Sequence, residues 1–211
     1  MARSGLHLPE PVDLPADGRV FTLRDQTRAL VRPIRPADGP ELQRGLAAMS
    51  ESSRYARFGT VPQRLSAREL RYLTEVDQRQ HIALIAFDLT DDPPRGVATV
   101  RCVRVPGEPE VAELAVTVVD SHQGRGLGTL LLALLVAAAR TQGIERLRSY
   151  VLATNVRMLE ILDQLGSRRC GMDGSLCCVE TPLRAAAELP DTQAGRVFRE
   201  LASRLGPPPA G

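Results

Sequence analysis

The chain has 211 residues, 43% of them hydrophobic and 3% aromatic, with 27 basic residues against 25 acidic ones. That length suits one domain with ragged ends, whose core must be filled by Leu, Val, Ile and Ala. A net charge of +2 leaves no basic footprint for nucleic acid, and the chain has no Lys. A GxxxxGK[ST] phosphate loop and a Schiff-base lysine are therefore both excluded.

Residues 1–19, rich in Pro, Gly and Asp, read as a flexible leader with no apolar core of signal-peptide length. Residues 21–24 and 29–34 read as short strands around Asp25-Gln26-Thr27. Pro36-Ala37-Asp38 opens a helix carrying Leu42, Leu46 and Met49 at helical spacing. Ser66 and Glu69 form a capping box before Leu70 and Leu73. Residues 81–89, 96–105 and 112–119 read as strands, the last almost continuously apolar after Glu113, as in a sheet covered on both faces. A polar, Gly-rich loop over 120–128 leads into a helix over 129–142, stopped by Gly143. A strand over 147–153, a helix over 156–165 ending at Gly166, and a hairpin over 170–179 around Asp173-Gly174 follow. In the tail, residues 184–211, Ala194, Val197, Phe198, Leu201 and Leu205 line one face of a short amphipathic helix. The most apolar run, 127–139, spans ~20 Å as a helix, short of the ~30 Å of a bilayer core, so no membrane association is expected. Cys102, Cys170, Cys177 and Cys178 lack the C-x2-C spacing of a zinc site. They read as free thiols in a reducing, cytoplasmic compartment, and no metal is expected.

The segment from Glu113 to Thr129 is the most informative. An apolar strand, Leu114-Ala115-Val116-Thr117-Val118-Val119, runs into Asp120-Ser121-His122-Gln123-Gly124-Arg125-Gly126-Leu127-Gly128-Thr129. Glycines let the backbone approach a ligand closely, and a helix start offers unsatisfied N–H groups at a positive dipole end. Such a loop suits a phosphate or pyrophosphate. The dinucleotide fingerprint needs G-x-G-x-x-G and an acidic residue ending the next strand. Here the spacing is G-x-G-x-G and the next strand ends Leu152-Ala153-Thr154-Asn155, so that fingerprint is absent.

At these residues the sequence resembles the GNAT superfamily of N-acetyltransferases, whose acyl-CoA loop reads [Q/R]-x-x-G-x-[G/A]. Gln123, Gly126 and Gly128 occupy its defining positions. The resemblance implies an α/β (α+β) fold over residues 20–183, a mixed central sheet with the strand–Gly loop–helix at its centre, and acetyl-CoA as co-substrate. It implies that the backbone of Gln123, Gly124, Arg125, Gly126, Leu127, Gly128 and Thr129 binds the CoA pyrophosphate, with the Thr129 hydroxyl adding to it. It further implies that Val116, Thr117 and Val118 hydrogen-bond the pantetheine arm like an added strand. Asn155 is similar in position to the family's Asn beside the pantetheine; as a residue type it reads equally as a helix cap.

A closer resemblance covers several spaced segments. They are Leu23-Arg24-Asp25, Arg32-Pro33-Ile34-Arg35-Pro36-x-Asp38, Met49-Ser50-x-x-Ser53-Arg54-Tyr55-x-Arg57-Phe58, Leu73-Thr74-x-Val76-Asp77, His81-Ile82-Ala83-Leu84 and Ala112-Glu113-Leu114-Ala115-Val116. These are similar to the Pat-type bacterial protein lysine acetyltransferases. The resemblance implies a protein substrate, such as an acyl-CoA synthetase, for a monomer or homodimer. Members of that group are often fused to a regulatory or synthetase-like domain, for which 211 residues leave no room.

The chemistry follows from the residue types. A lysine amine has a pKa near 10.4, so only about 1 in 1,000 is a neutral nucleophile at neutral pH. A base near the amine and a donor for the oxyanion are required. Glu113, in apolar company, is the expected base, with partial burial raising its pKa. A backbone N–H near Val116 or Thr117 is the expected oxyanion donor. The Tyr that protonates the leaving thiolate in many GNAT enzymes is replaced by Leu162, leaving water for that role, and Ser167 replaces a common Phe. The resemblance places His81 at the lysine entrance. Two alternatives stay open: an acetyltransferase for a small amine, and a non-catalytic acetyl-CoA-binding module.

Overall fold

The structure is a computed structural model and describes residues 14–184 and 188–204. One sheet contains β1 (Arg19–Thr22), β2 (Arg28–Pro33), β3 (His81–Asp88), β4 (Arg95–Val105), β5 (Glu108–Val118), β6 (Arg146–Leu152), β7 (Arg168–Asp173) and β8 (Leu176–Pro182). Their order is β1-β2-β3-β4-β5-β6-β8-β7, and only β5 and β6 run parallel. The mixed sheet and the flanking helices are the architecture the sequence implied.

Helix α4 (Leu127–Thr141) covers one face of β3, β4 and β5. Leu130, Leu131, Leu134 and Leu135 close there over Ile82, Leu84, Ala98, Val100 and Cys102. Each large side chain removed from water in this way contributes about 1.5–3 kcal/mol. The opposite face carries α1 (Gly39–Ala47), α2 (Glu51–Phe58) and α3 (Ala67–Thr74). Helices α5 (Val156–Gln164) and α6 (Gln193–Arg204) pack against each other, and α6 also meets α4. Phe198 of α6 is buried, while Leu205 lies outside the described residues.

Four features depart from the sequence reading or extend it. Residues 14–18, assigned to the leader, are tied down: Leu14 packs on the core and Asp17 pairs with Arg35 at 3.0 Å. Residues 1–13 lie outside the described set. Helix α2, for which the sequence pattern gives no signal, buries no residue; Ser50 caps it and Gly59, at φ +68°, ends it. Strand β5 starts at Glu108 rather than 112, because Glu108 pairs with Val105 of β4 ahead of an irregularity in the ladder; its carboxylate also pairs with Arg148 of β6. Finally, the reading of four free thiols is corrected. Cys170 and Cys178 form a disulfide across the β7–β8 hairpin, which brings their Cα atoms within 5.2 Å, and buried Cys102 and Cys177 are free. That pairing removes the thiol argument for a reducing compartment.

Candidate active site

The central feature is where β5 and β6 part company. They pair only from Val111 with Arg146 to Glu113 with Arg148. Beyond that point β6 stays with β8, and β5 stays with β4 as far as Val118. A strand sends the N–H and C=O of successive residues to opposite edges. The Val119 N–H bonds Val97 of β4, and the Glu110 C=O bonds Glu145 on the other side. With the register unbroken from Ala112 to Val118, Leu114, Val116 and Val118 direct their backbone groups into the gap, whereas Ala115 and Thr117 are bonded to β4. The gap is thus edged by an open strand. Of its groups, the Val118 C=O accepts the Gln123 Nε2 at 3.2 Å.

At the end of that strand the loop turns into α4. Gly124 and Gly126 have φ of +78° and +89°, values an L side chain rarely adopts. Gly128 sits against β5, where a Cβ would be in ordinary contact with the Val118 side chain at 3.5 Å. The N–H groups of residues 124 to 129 have no acceptor among the described residues. They form an anion-seeking nest at the positive end of α4. Thr129 lies in the first turn of that helix. The β1–β2 turn braces the loop: Arg125 pairs with Asp25 at 3.2 Å, and the Arg24 side chain lies over Gly126. Arg24 is a cation at the nest that the loop motif alone did not reveal.

Asp120 couples this loop to α2. Its carboxylate accepts the Ser50 N–H at 2.6 Å, the Ser53 hydroxyl at 2.5 Å and the Gln123 amide at 2.9 Å. These bonds, that of Ser53 foremost, hold its pKa below the ordinary carboxylate value although burial opposes them. His122 adds a second tie, its Nε2 lying 2.9 Å from Asp88 at the end of β3.

The other face of β5 carries Glu113, Ala115 and Thr117. Directly paired residues share a face, so His81, Val103, Glu113 and Arg148 form one row across the sheet. Arg101 stands beside Ala115, and Thr99 beside Thr117. The Glu113 side chain is exposed, not partly buried as expected. Arg57 of α2 donates its Nε to the Thr117 hydroxyl at 3.0 Å. Burial lowers the Arg57 pKa, while the charges of Glu113 and Tyr72 oppose the shift.

His81 is engaged from two sides. Its ring lies 5.2 Å from that of Tyr72, and its Nε2 is 3.1 Å from the Nη1 of Arg101. A guanidinium can only donate, so this nitrogen is the acceptor and carries no proton. Burial first, and then Arg101, push the His81 pKa down to about 4 against the opposing charge of Asp77. Its lone pair is engaged by Arg101.

Asn155 caps α5, its Oδ1 accepting the Met158 N–H at 3.2 Å, in an exposed loop after β6. Leu162 is buried with Val151, Leu159 and Cys177, so no acid stands at that position. Where β6 leaves β5, the Ser149 hydroxyl is buried with no partner among the described residues. No group of three or more His, Cys, Asp or Glu there could hold a metal, and no described helix is long and apolar enough to cross a membrane.

Comparison with known proteins agrees with this geometry. The family model for an acetyltransferase (GNAT) domain matches residues 28–168. The chain is 34% identical over 137 residues to acetyltransferase Pat of Mycolicibacterium smegmatis, covering 65% of this chain and 40% of that protein. It is 30% identical over 150 residues to acetyltransferase PA5475 of Pseudomonas aeruginosa, covering 71% and 80%. The crystal structure of the GNAT domain of S. lividans PAT superposes with a TM-score of 0.69 at 31% identity, covering 78% of this chain and 96% of that one. An open-edged strand, a nest of free N–H groups, and a model match over more than half its length together place this chain in the GNAT acetyltransferase family.

Proposed function

We propose that the protein moves the acetyl group of acetyl-CoA to an amine, foremost the side-chain amine of protein lysines such as those of acyl-CoA synthetases. The observation that carries the reading is the parting of β5 and β6 beyond Glu113 and Arg148, beside a loop whose N–H groups are free. The pyrophosphate of the donor would lie on the backbone of residues 124 to 129, near Arg24. Its pantetheine amides would continue the sheet against Val116 and Val118, and the thioester would reach the closed end of the gap.

There the Val116 N–H is the donor for the oxyanion, since the Thr117 N–H is spent on β4. Glu113, exposed on the opposite face, takes the proton of the incoming ammonium directly or through one water. The neutral amine attacks the thioester carbon, the tetrahedral intermediate collapses, and the C–S bond breaks. The thiolate takes its proton from water. The Pat relatives favour a protein acceptor over a small amine, and this chain spans less than half of the M. smegmatis protein. The test is to incubate the protein and acetyl-CoA with host lysate and map acetylated lysines by mass spectrometry. Dominant sites on an acyl-CoA synthetase are expected. CoA release with small amines alone, leaving lysines untouched, would select the small-molecule reading.

A further inference from the structure

Arg57 and Arg101 are cations set into one pocket with no carboxylate paired to either among the described residues. Arg101 is 5% exposed. Its Nη1 meets the Leu73 C=O at 3.0 Å and His81, while its Nε and Nη2 have no described partner. Arg57 uses only its Nε, on Thr117. Burial, and then the charge of Arg57, pull the Arg101 pKa down to about 10, so it stays charged at neutral pH. A buried cation with no carboxylate beside it is costly, and the part-buried Arg57, held only by Thr117 and the Phe58 ring, adds a second positive charge to the pocket. Evolved folds retain such a cost where an anion repays it.

The pocket lies between β4–β5 and helices α1–α3, and the hydroxyls of Thr99 and Thr117 line it with the two guanidiniums. Arg101 stands in the row of Ala115, two residues along β5 from Glu113, about 7 Å at strand rise. That is the reach of a short side chain or a small diacid.

We propose that this pocket holds a carboxylate of the reacting pair, gripped by the forks of Arg57 and Arg101 beside the amine-activating Glu113. The inference rests on the reading of Glu113 as the acceptor-side base. The carboxylate belongs either to the acyl acceptor or to a dicarboxylic acyl donor. A guanidinium suits it because its donors match two carboxylate oxygens at once.

The test follows the arginine Nε–H signals by NMR while succinate, or uncharged succinamide, is added at constant ionic strength. Succinate should shift the Arg57 and Arg101 signals saturably, with at least tenfold weaker binding of succinamide. Arg57→Gln and Arg101→Met should each weaken succinate binding at least tenfold. Arg101→Lys, which keeps the charge, should lose less and serves if the Met variant fails to fold. No saturable shift, equal affinity for both probes, or undiminished binding in the variants overturns the proposal.

Two rate comparisons then locate the carboxylate: succinyl-CoA against acetyl-CoA, and Nα-acetyl-lysine against its amide. A tenfold preference in kcat/KM within one pair, lost in Arg57→Gln, names the source; equal rates in both pairs overturn the proposal. Acetyl-CoA added to the same samples reports on residues 124 to 129 separately. A failure there strikes the donor-site reading alone, because the succinate titration needs no donor.

Discussion

The two faces of β5 are made from different materials. Toward α4 it presents Leu114, Val116 and Val118, which pack into the main core under a glycine-built loop. Toward α1–α3 it presents Glu113, Ala115 and Thr117, which meet Arg57 of α2, Arg101 of β4 and His81 of β3. Backbone geometry shapes the first face, so it suits a donor common to a whole family. Side chains converging from separate elements shape the second, where the proposed acceptor would be met. Substitutions should therefore divide between donor binding and turnover according to the face they touch.

The largest effect is expected at Glu113. Glu113→Gln keeps size and hydrogen-bonding reach but cannot take up a proton near neutral pH. Turnover should fall by about 10²–10⁴-fold with acetyl-CoA affinity unchanged. The residual rate should climb with pH as hydroxide supplies neutral amine, whereas the wild-type rate levels off above the apparent pKa of its base. A loss under about threefold, with parallel pH profiles, would make Glu113 a mere strand-edge carboxylate.

Gly126→Val probes the other side. The branched side chain would be strained at φ +89° and would press on Arg24, so acetyl-CoA should bind more than tenfold weaker in calorimetry. Unchanged affinity with the fold intact would remove the loop from the site.

Asp120→Ala tests the link between the two. It releases the Ser50 N–H and the Ser53 hydroxyl at the start of α2. A stability loss of about 1–2 kcal/mol is expected by urea unfolding, together with a raised KM for the acceptor, since α2 carries Arg57. A raised KM for acetyl-CoA alone would place the latch wholly on the donor side.

The smallest effect concerns His81. Its pKa of about 4 in the fold lies below the ordinary histidine value of 6.5, so the unfolded chain takes up this proton first as pH falls. Stability from this group is complete above pH 6.5 and drains away as pH falls toward 4. His81→Gln, which does not titrate, should lose less stability than the wild type between those values in parallel urea titrations. Equal losses would show that burial and the charge of Arg101 do not hold the ring neutral.

The division between the faces also explains what was legible in the sequence. Gln123, Gly126 and Gly128 are adjacent in the chain, and their spacing states a backbone geometry, so the loop and helix α4 could be read directly. The capping box at Ser66 and Glu69 was legible for the same reason. Arg57 and Arg101 are 44 residues apart and share a pocket where α2 packs on β5, tied there through Asp120 and through Arg57 itself on Thr117. Nothing local marks them. Helix α2 has no apolar stripe, and no spacing rule ties Cys170 to Cys178 before the hairpin register is known. Burial of Glu113 was expected from its apolar neighbours in sequence, but exposure is set by tertiary packing, which those neighbours do not state. For Asn155, the structure shows the capping role that the sequence left open.

The central claim is that acetyl-CoA adds itself to the open edge of β5, and amide hydrogen exchange read residue by residue by NMR tests it most directly. On saturation with acetyl-CoA, the account predicts slowed exchange at Val116 and at residues 124 to 129. Ala115 and Thr117, already bonded to β4, should change little. Tight binding with no protection at Val116, or with equal protection at Ala115, Val116 and Thr117, would contradict it.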